Sequence, residues 1–207
     1  QLLQGDEPEP DAVSVEPLPD PLPWDWGEES GARVGVVLYR SLLQADDLDL
    51  ARALNAALRQ AGLCPRLLWV SSLRDAAVQA GVVDLLASEA VELVITGTAF
   101  ASVRSEQAGL GSPIWDQLDC PVLQMLTGSR SRAAWAASSR GLDPLDLSLQ
   151  VVMPELDGRV TTRPCGFRQL TMDQGQLATA LPRLIPDAAG LRWLVEHSTG
   201  WINLRRT

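Results

Sequence analysis

Residues 34–70, VGVVLYRSLLQADDLDLARALNAALRQAGLCPRLLWV, decide the fold class of this chain. The stretch opens with an apolar run of strand length, Val34 to Leu38, and closes with another, Arg66 to Val70. Between them, residues 44–61 carry apolar side chains at helical spacing, and Gly62 is a typical C-terminal stop. A strand, a helix and a second strand in this order predict parallel strands joined by a crossover helix.

The same alternation continues along the chain and predicts an α/β fold. We expect a flavodoxin-like or Rossmann-like parallel sheet with flanking helices, because parallel sheets are covered on both faces. The further predicted elements are a helix over residues 75–89, strands over 91–95 and 121–126 with a small, polar loop between them over 97–112, a strand over 160–166, and helices over 171–184 and 187–207.

The opening segment differs from the rest in composition. Residues 1–30 contain nine acidic residues, no Lys or Arg, and six prolines between Pro8 and Pro23. Such a composition favours extended chain over regular structure. We therefore predict three parts: an acidic Pro-rich linker or surface strap over 1–30, an α/β domain over 31–186, and a C-terminal helix over 187–207. Trp24 and Trp26 are candidate anchors of the strap, and an acidic docking tail is the alternative.

Composition also excludes several classes of function. Outside the opening segment, acidic and basic side chains are equal in number, at 17 each, so no basic excess is available to bind nucleic acid. The chain contains no lysine, which rules out a Schiff base and a P-loop lysine, and it has neither GxxxxGK[ST] nor GxGxxG. We expect no ATP site of the P-loop type. The sequence has no apolar run as long as a membrane span, and we expect a cytoplasmic protein.

Candidate metal ligands are few. His197 is the only histidine, and Cys64, Cys120 and Cys165 do not have the CxxC spacing of a structural zinc site. Buried thiols in a reducing compartment account for the three cysteines. We predict no resident metal site in this chain.

Residues 135–159 hold the strongest candidate for a site. We predict a strand over Leu147 to Met153, ended by Pro154, which would place Glu155 and Asp157 at a sheet edge. Asp157-Gly158 is a turn dipeptide in which glycine supplies the positive φ. Two carboxylates and Arg159 within five residues make a plausible site.

The motif in this stretch resembles a known family. The order W-x3-SRGL-x-P-x-DL-x3-V-x-MPELDGR over residues 135–159 is similar to the large subunit of aerobic cobalt chelatase, the CobN family, a relative of the magnesium chelatase H subunit. Four shorter motifs match in the family's order: Leu38–Ser41 after the first strand, Ser72–Asp75 after the second, Thr98–Phe100 after the third, and Pro121–Gln124 as the fourth strand.

The resemblance implies a function for the complete subunit. It implies binding of a corrin or other tetrapyrrole and insertion of Co2+, as substrate, into hydrogenobyrinic acid a,c-diamide in cobalamin biosynthesis. ATP would be hydrolysed by separate AAA+-type partner subunits. This chain would be one segment of the large subunit and inactive alone. The alternatives are porphyrin binding of the magnesium chelatase H type and a non-catalytic α/β docking module.

The resemblance also suggests roles for particular residues. Glu155 and Asp157 are the candidate catalytic groups, because a carboxylate can accept the protons that a macrocycle loses on metallation. Arginine binds carboxylates bidentately, so the arginines of the motifs are candidates for the substrate's peripheral carboxylates, with Trp135 against the macrocycle face. The structural alternatives are a turn for Asp157, ion pairing for Glu155, solvation for the arginines and a core position for Trp135. The candidate substrate-binding set is Arg40, Arg130, Arg132, Trp135, Arg140 and Arg159.

Overall fold

A single mixed sheet of seven strands forms the centre of the molecule. The structure is a computed structural model that describes residues 18–28, 30–100, 102, 113–172 and 179–207. The strands lie in the order β1-β3-β2-β4-β5-β6-β7 across the sheet. Their bounds are β1 Leu22–Trp24, β2 Ala32–Tyr39, β3 Leu63–Val70, β4 Leu93–Thr96, β5 Val122–Gly128, β6 Val160–Met172 and β7 Ala180–Pro186.

Five of these strands are parallel and the two edges are not. β3, β2, β4, β5 and β6 pair in parallel, whereas β1 runs antiparallel to β3 and β7 runs antiparallel to β6. The predicted α/β class is confirmed, and the sheet departs from a wholly parallel one at both edges.

Helices cover both faces of the sheet. They are α1 Arg40–Gln44, α2 Asp49–Gln60, α3 Ala76–Ser88, α4 Pro113–Asp116, α5 Arg132–Ala136, α6 Pro144–Leu147, a π-helical turn Ser148–Val152, α7 Met153–Glu155 and α8 Ala188–Arg206.

Apolar residues alternate along the parallel strands, so that Val36 and Val37 belong to two different buried clusters. The first cluster includes residues of α2 and α8, and the second includes residues of α3.

The strand predicted over residues 147–153 was wrong, because this segment is helical. α6, the π turn and α7 form one continuous three-part helix over residues 144–155. Asp143 caps its start by accepting hydrogen bonds from two backbone N–H groups, Pro144 occupies the first turn, and Gly158 with a φ of +72° follows its end. Glu155 therefore lies in the last turn of a helix and not at a strand end.

The helix predicted over residues 171–184 was also wrong. β6 continues to Met172, and β7 returns beside it with Ala180 opposite Met172. Pro182 and Pro186 both lie in β7, which is an edge strand, where a missing N–H is tolerated. The helix predicted over 187–207 is confirmed as α8.

Aromatic side chains hold the described part of the opening segment against β3. The Trp24 ring packs edge to face on Trp69 with 5.6 Å between ring centroids, and the Trp26 indole N–H donates to the Leu67 carbonyl. Both tryptophans therefore serve as anchors. Most of the predicted acidic strap, residues 1–17, lies outside the described residues. Among the described helices, none has the length and apolar character needed to cross a membrane.

Candidate functional site

The chain reverses its direction of strand addition at β2, which lies between β3 and β4. In open α/β sheets, such a switch point leaves a crevice beyond the carboxyl ends of the strands, where ligands bind. The Tyr39 hydroxyl at the end of β2 spans the crevice and donates to the Ala99 carbonyl at 2.8 Å. Burial raises the pKa of Tyr39, so this hydroxyl keeps its proton at neutral pH.

Arg159 is the centre of a buried polar network beside this crevice. Its side chain has no exposed surface, and its guanidinium donates to the Thr98 carbonyl at 3.0 Å, the Gln124 amide oxygen at 3.0 Å and the Phe100 carbonyl at 3.2 Å. The guanidinium also lies 5.4 Å from the centroid of the Trp115 ring. The arginine therefore fixes the backbone of residues 98–100, which follow β4.

Asp157 supplies the negative charge of the same network. Its Oδ2 accepts from Arg159 at 2.7 Å, and the Ser102 backbone N–H and hydroxyl donate to it at 2.7 and 2.8 Å. Burial lowers the pKa of Arg159, and the Asp157 carboxylate opposes that shift. The ion pair keeps a charge at a place that solvent does not reach.

Phe100 has a backbone conformation that large residues rarely adopt. Its φ is +66°, in the left-handed region, at a cost of roughly 1–3 kcal/mol. Its carbonyl accepts from Arg159 and its N–H donates to the Leu149 carbonyl at 2.9 Å, while its ring is 43% exposed. Two hydrogen bonds thus hold a strained residue that presents an aromatic ring to solvent.

The three-part helix provides the acceptor for Phe100 because of Pro154. Met153 donates to the Ser148 carbonyl in the π register, so the next residue would donate to Leu149. The next residue is Pro154, which has no N–H. The Leu149 carbonyl is therefore left free to accept from Phe100.

Polar side chains join the inner face of the three-part helix to the end of β5. The Gln150 amide accepts from the Thr127 backbone N–H at 2.8 Å and donates to the Thr127 carbonyl at 2.7 Å, as a neighbouring strand would. Asp146 accepts from the Ser129 backbone N–H at 2.8 Å. The helix is thereby placed across the strand ends without a large apolar contact.

Several predicted site residues make internal contacts elsewhere. Arg40 lies at the end of β2, where it donates to the Pro19 carbonyl and lies 3.4 Å from an Asp20 carboxylate oxygen. Arg132 pairs with Asp187 at 3.0 Å and stacks on Trp135 at 4.9 Å from the ring centroid. Trp135 in turn packs against Phe167, with 5.3 Å between ring centroids. This group lies beside β6 and is separate from the Arg159 network.

The remaining predicted residues lie nearer the solvent. Arg130 donates to the Gly141 carbonyl at 3.0 Å. The Arg140 guanidinium is exposed and makes no hydrogen bond or ion pair with any described residue. Glu155 is exposed and accepts from the Thr161 hydroxyl at 2.9 Å. Arg140 and Glu155 are therefore the two predicted residues whose functional groups remain available to a ligand.

The predicted set of site residues did not include four residues that build this region. Thr98, Phe100, Gln124 and Gln150 provide the acceptors and donors that organise the loop and the three-part helix. Thr98, Phe100 and Gln124 lie in motifs that resemble the CobN family, and these motifs are the sequence feature that could have identified them. Nothing in the sequence pattern distinguishes Gln150. Within the described ranges, no group of three or more His, Cys, Asp or Glu side chains could hold a metal ion.

Comparison with known proteins decides the family. The model of the CobN/magnesium chelatase family matches residues 9–207. The chain belongs to the CobN/magnesium chelatase family. The resemblance inferred from the motifs is thus confirmed.

Members of the CobN family are similar to this chain over most of its length. It is 32% identical over 174 residues to the aerobic cobaltochelatase subunit CobN of a Sinorhizobium species and 31% identical over 173 residues to that of Pseudomonas aeruginosa. Each match covers 84% of this chain and 14% of the relative. The catalytic subunit of the cobaltochelatase from Mycobacterium tuberculosis superposes on 91% of the chain, and 16% of that subunit, with a TM-score of 0.75 and 25% identity. The chain spans about one seventh of the length of its curated relatives.

Proposed function

We propose that this chain is a segment of the large, tetrapyrrole-binding subunit of an ATP-dependent cobalt chelatase. The complete cytoplasmic enzyme would insert Co2+, its substrate metal, into hydrogenobyrinic acid a,c-diamide during cobalamin biosynthesis. AAA+-type partner subunits would hydrolyse ATP. The observation that carries this proposal is the match of 84% of the chain to two relatives that are both named cobaltochelatase subunit CobN. Those names favour cobalt over magnesium.

The geometry supports a division of roles among the predicted site residues. Asp157 and Arg159 are fully buried and bonded to each other, so we assign them to positioning the loop over residues 97–100. Phe100 offers an exposed aromatic ring next to that network, and a flat macrocycle can stack on such a ring. Among the predicted arginines that the structure describes, Arg140 is the one whose guanidinium has no internal partner, and it is available to a peripheral carboxylate of the substrate.

Glu155 is the candidate proton acceptor. Metallation of the macrocycle releases protons, and an exposed carboxylate at the end of a fixed helix can take one if the substrate lies within hydrogen-bond reach. The Thr161 hydroxyl donates to this carboxylate and orients it. Asp157 is too enclosed for the same role, because both its partners and its surroundings are protein.

Ligand titration tests the proposal. We would add metal-free hydrogenobyrinic acid a,c-diamide or protoporphyrin to the chain and follow quenching of its seven tryptophans. Tighter binding of the corrin is expected. Arg140→Ala should weaken it by about tenfold, the typical effect of losing a charge-assisted hydrogen bond. The matched control is Arg192→Ala, which removes an exposed arginine from α8.

The Glu155→Gln variant separates binding from chemistry. We expect it to bind the corrin as tightly as the unchanged chain. In a complete subunit reconstituted with its ATPase partners, it should slow cobalt insertion. If neither macrocycle binds the folded chain, substrate binding by this segment is wrong and the docking-module alternative stands.

That alternative is a second candidate function with its own support. Arg40 and Arg132 are occupied by Asp20 and Asp187, and Asp157 and Arg159 by each other. A segment whose charged groups mostly serve its own fold fits an α/β module that frames a site formed elsewhere in the subunit. Corrin binding that is unaffected by both Arg140→Ala and Phe100→Ala would favour this second function.

A further inference from the structure

The three-part helix, residues 144–155, turns polar side chains toward the sheet and apolar side chains toward solvent, the opposite of what is usual for a helix packed on a sheet. Asp146, Gln150 and Pro154 follow one another at four-residue spacing on the inner face, and Asp146 and Pro154 are buried. The outer face carries large apolar side chains. With Leu156 just beyond the last turn, the outer residues are Leu145, Val152, Met153 and Leu156, at 66%, 52%, 40% and 62% exposure.

This outer face cannot be buried by rotation of the helix. Gln150 and Asp146 are bonded to the backbone of Thr127 and Ser129, and Leu149 is bonded to Phe100. Turning the apolar side chains inward would break all of these bonds and leave buried polar groups unpaired. None of the elements that the structure describes packs over the outer face. The four outer side chains are named the apolar strip hereafter.

Single exposed apolar residues are normal on a protein surface, whereas several of them on one helix face make a candidate interface. The area of the apolar strip indicates which kind of interface it can form. Twelve helical residues span about 18 Å, and a helix face is about 10 Å wide, so the strip offers on the order of 200 Å². A stable complex between separate chains needs about 800 Å² from each partner. The strip is too small to hold a second molecule by itself, but it is large enough for a contact within one polypeptide, where covalent connection reduces the entropic cost.

The curated relatives supply such a partner. About six sevenths of each CobN relative lies outside the part that matches this chain. This step rests on the proposed function, in which the chain is one segment of a large subunit: we infer that the apolar strip is a docking surface for an apolar segment of that same polypeptide. Of the four acidic residues between Gly141 and Gly158, Asp146 and Asp157 are buried and bonded to protein groups, so apolar contact and not charge is expected to select the docked segment.

Cysteine labelling tests this inference independently of corrin binding or cobalt insertion. Val152→Cys would be reacted with a maleimide in the 207-residue chain and in a hybrid Sinorhizobium subunit that carries this chain in place of its matched segment. The native thiols are a small background, because Cys64 and Cys165 are buried and because burial raises the pKa of Cys120 to about 11 and that of Cys165 to about 12. Arg52→Cys, at an exposed position of α2, is the matched control.

We expect Val152→Cys to react at least about tenfold more slowly in the hybrid than in the 207-residue chain, and Arg52→Cys to react at similar rates in both. Equal rates at Val152 in both proteins would overturn the inference. So would protection in the hybrid that appears only after macrocycle is added, or protection in the 207-residue chain that disappears on dilution, since these would identify substrate or a second copy as the occupant.

A second measurement covers the case in which the hybrid does not fold. The 207-residue chain should bind a fluorescent dye specific for apolar surface, and the double variant Val152→Asp and Leu156→Asp should lose about two thirds of that signal. The control is Leu170→Asp, which changes a similarly exposed leucine on β6. A signal that responds to Leu170→Asp but not to the double variant would mean that the strip is already covered, and would overturn the inference.

Discussion

Two helical regions of this molecule are held to the sheet by different forces. α8 buries Leu191, Leu194, Val195 and Ile202 in the core that it shares with α2 and the strands. The three-part helix instead faces the sheet with Asp146 and Gln150 and turns its leucines outward. Each fully buried leucine contributes about 1.5–3 kcal/mol, whereas a net hydrogen bond contributes about 0.5–1.5 kcal/mol. The three-part helix is therefore fixed in its orientation but weakly held.

The difference between the two helices indicates which part of the fold opens most easily. Local opening is easiest where few apolar contacts must be broken. In this chain that place is also where the buried Arg159 network and the strained Phe100 lie. The following experiments test the contrast between α8 and the three-part helix, in order of decreasing expected effect.

The largest effect is expected where the three-part helix ends in the buried ion pair. Asp157→Ala leaves the Arg159 guanidinium without its carboxylate in a place without solvent, which should cost about 3–5 kcal/mol of unfolding free energy. Urea denaturation followed by tryptophan fluorescence measures the loss. Glu155→Ala, two residues earlier and exposed, is the control and should change stability by less than about 0.5 kcal/mol. Similar losses of unfolding free energy for both variants would contradict a stabilising role of the buried Asp157–Arg159 ion pair.

Truncating leucines separates the two helices directly. Leu194→Ala in α8 removes a side chain with no exposed surface and should cost about 2–5 kcal/mol. Leu145→Ala in the three-part helix removes an exposed one and should cost less than about 0.5 kcal/mol. Thermal unfolding of the two variants provides the comparison. An equal decrease in melting temperature would mean that the outer face of the three-part helix is buried after all.

Gln150→Ala tests the hydrogen bonds that replace apolar packing. The variant leaves the Thr127 backbone N–H and carbonyl without partners, and we expect a loss of about 1–3 kcal/mol in urea denaturation. Ser148→Ala removes a side chain from the solvent-facing side of the same π turn and is the matched control. A loss no greater than that of the control would show that the Gln150 amide does not hold the helix.

Pro154→Ala tests why Leu149 is free to bind Phe100. An alanine supplies the N–H that proline lacks, and this donor competes for the helix carbonyls. We expect the Phe100 amide to exchange its hydrogen about tenfold faster, equivalent to about 1.4 kcal/mol, while amides of α8 are unchanged. Unchanged exchange at Phe100 would separate its conformation from the π turn.

The smallest effect is expected from the charge at the start of the three-part helix. The Ser129 hydroxyl and then the backbone N–H groups of the first turn donate to Asp143 and lower its pKa below the usual 3.8. A lowered pKa means that the stabilisation is complete above the usual pKa and is lost as pH falls through the lower, folded-state value. An asparagine in place of Asp143 would retain the cap but not the charge.

The Asp143→Asn variant should therefore be slightly less stable than the unchanged chain at pH 7, and the difference should disappear as the pH falls through the lowered, folded-state pKa of Asp143. Melting temperatures across the acid range measure it. A difference that grows as pH falls would have the wrong sign for this interpretation.

The strands β2, β3 and β4 could be predicted from the sequence because each is an apolar run and helices separate them along the chain. Val34 to Leu38 and Arg66 to Val70 are buried on both faces, and local pattern and global position agree there. The two wrong predictions, the strand over 147–153 and the helix over 171–184, have the same cause. At Leu147 to Met153 and again at 171–184, the apolar pattern did not match the side that faces the core.

The three-part helix did carry local signals that outweigh its apolar run. Asp143-Pro144 is a typical helix start and Gly158 a typical stop. The motif resemblance singled out Asp157 and Arg159 as candidates, but sequence spacing cannot show that Arg159 points inward, because that depends on its contact with Thr98, 61 residues away in the chain. Burial separates a positioning residue from a ligand contact, and burial is a tertiary property.

The antiparallel strands at the two edges affect how other chains can approach. β1 covers part of β3, and β7 places Pro182 and Pro186 along the outer edge, where proline offers no N–H to an incoming strand. Edge-to-edge growth of the sheet, the usual route to aggregation of exposed β-structure, is therefore obstructed on the β7 side. A protein that joins this chain there must recognise side chains and cannot simply add a strand.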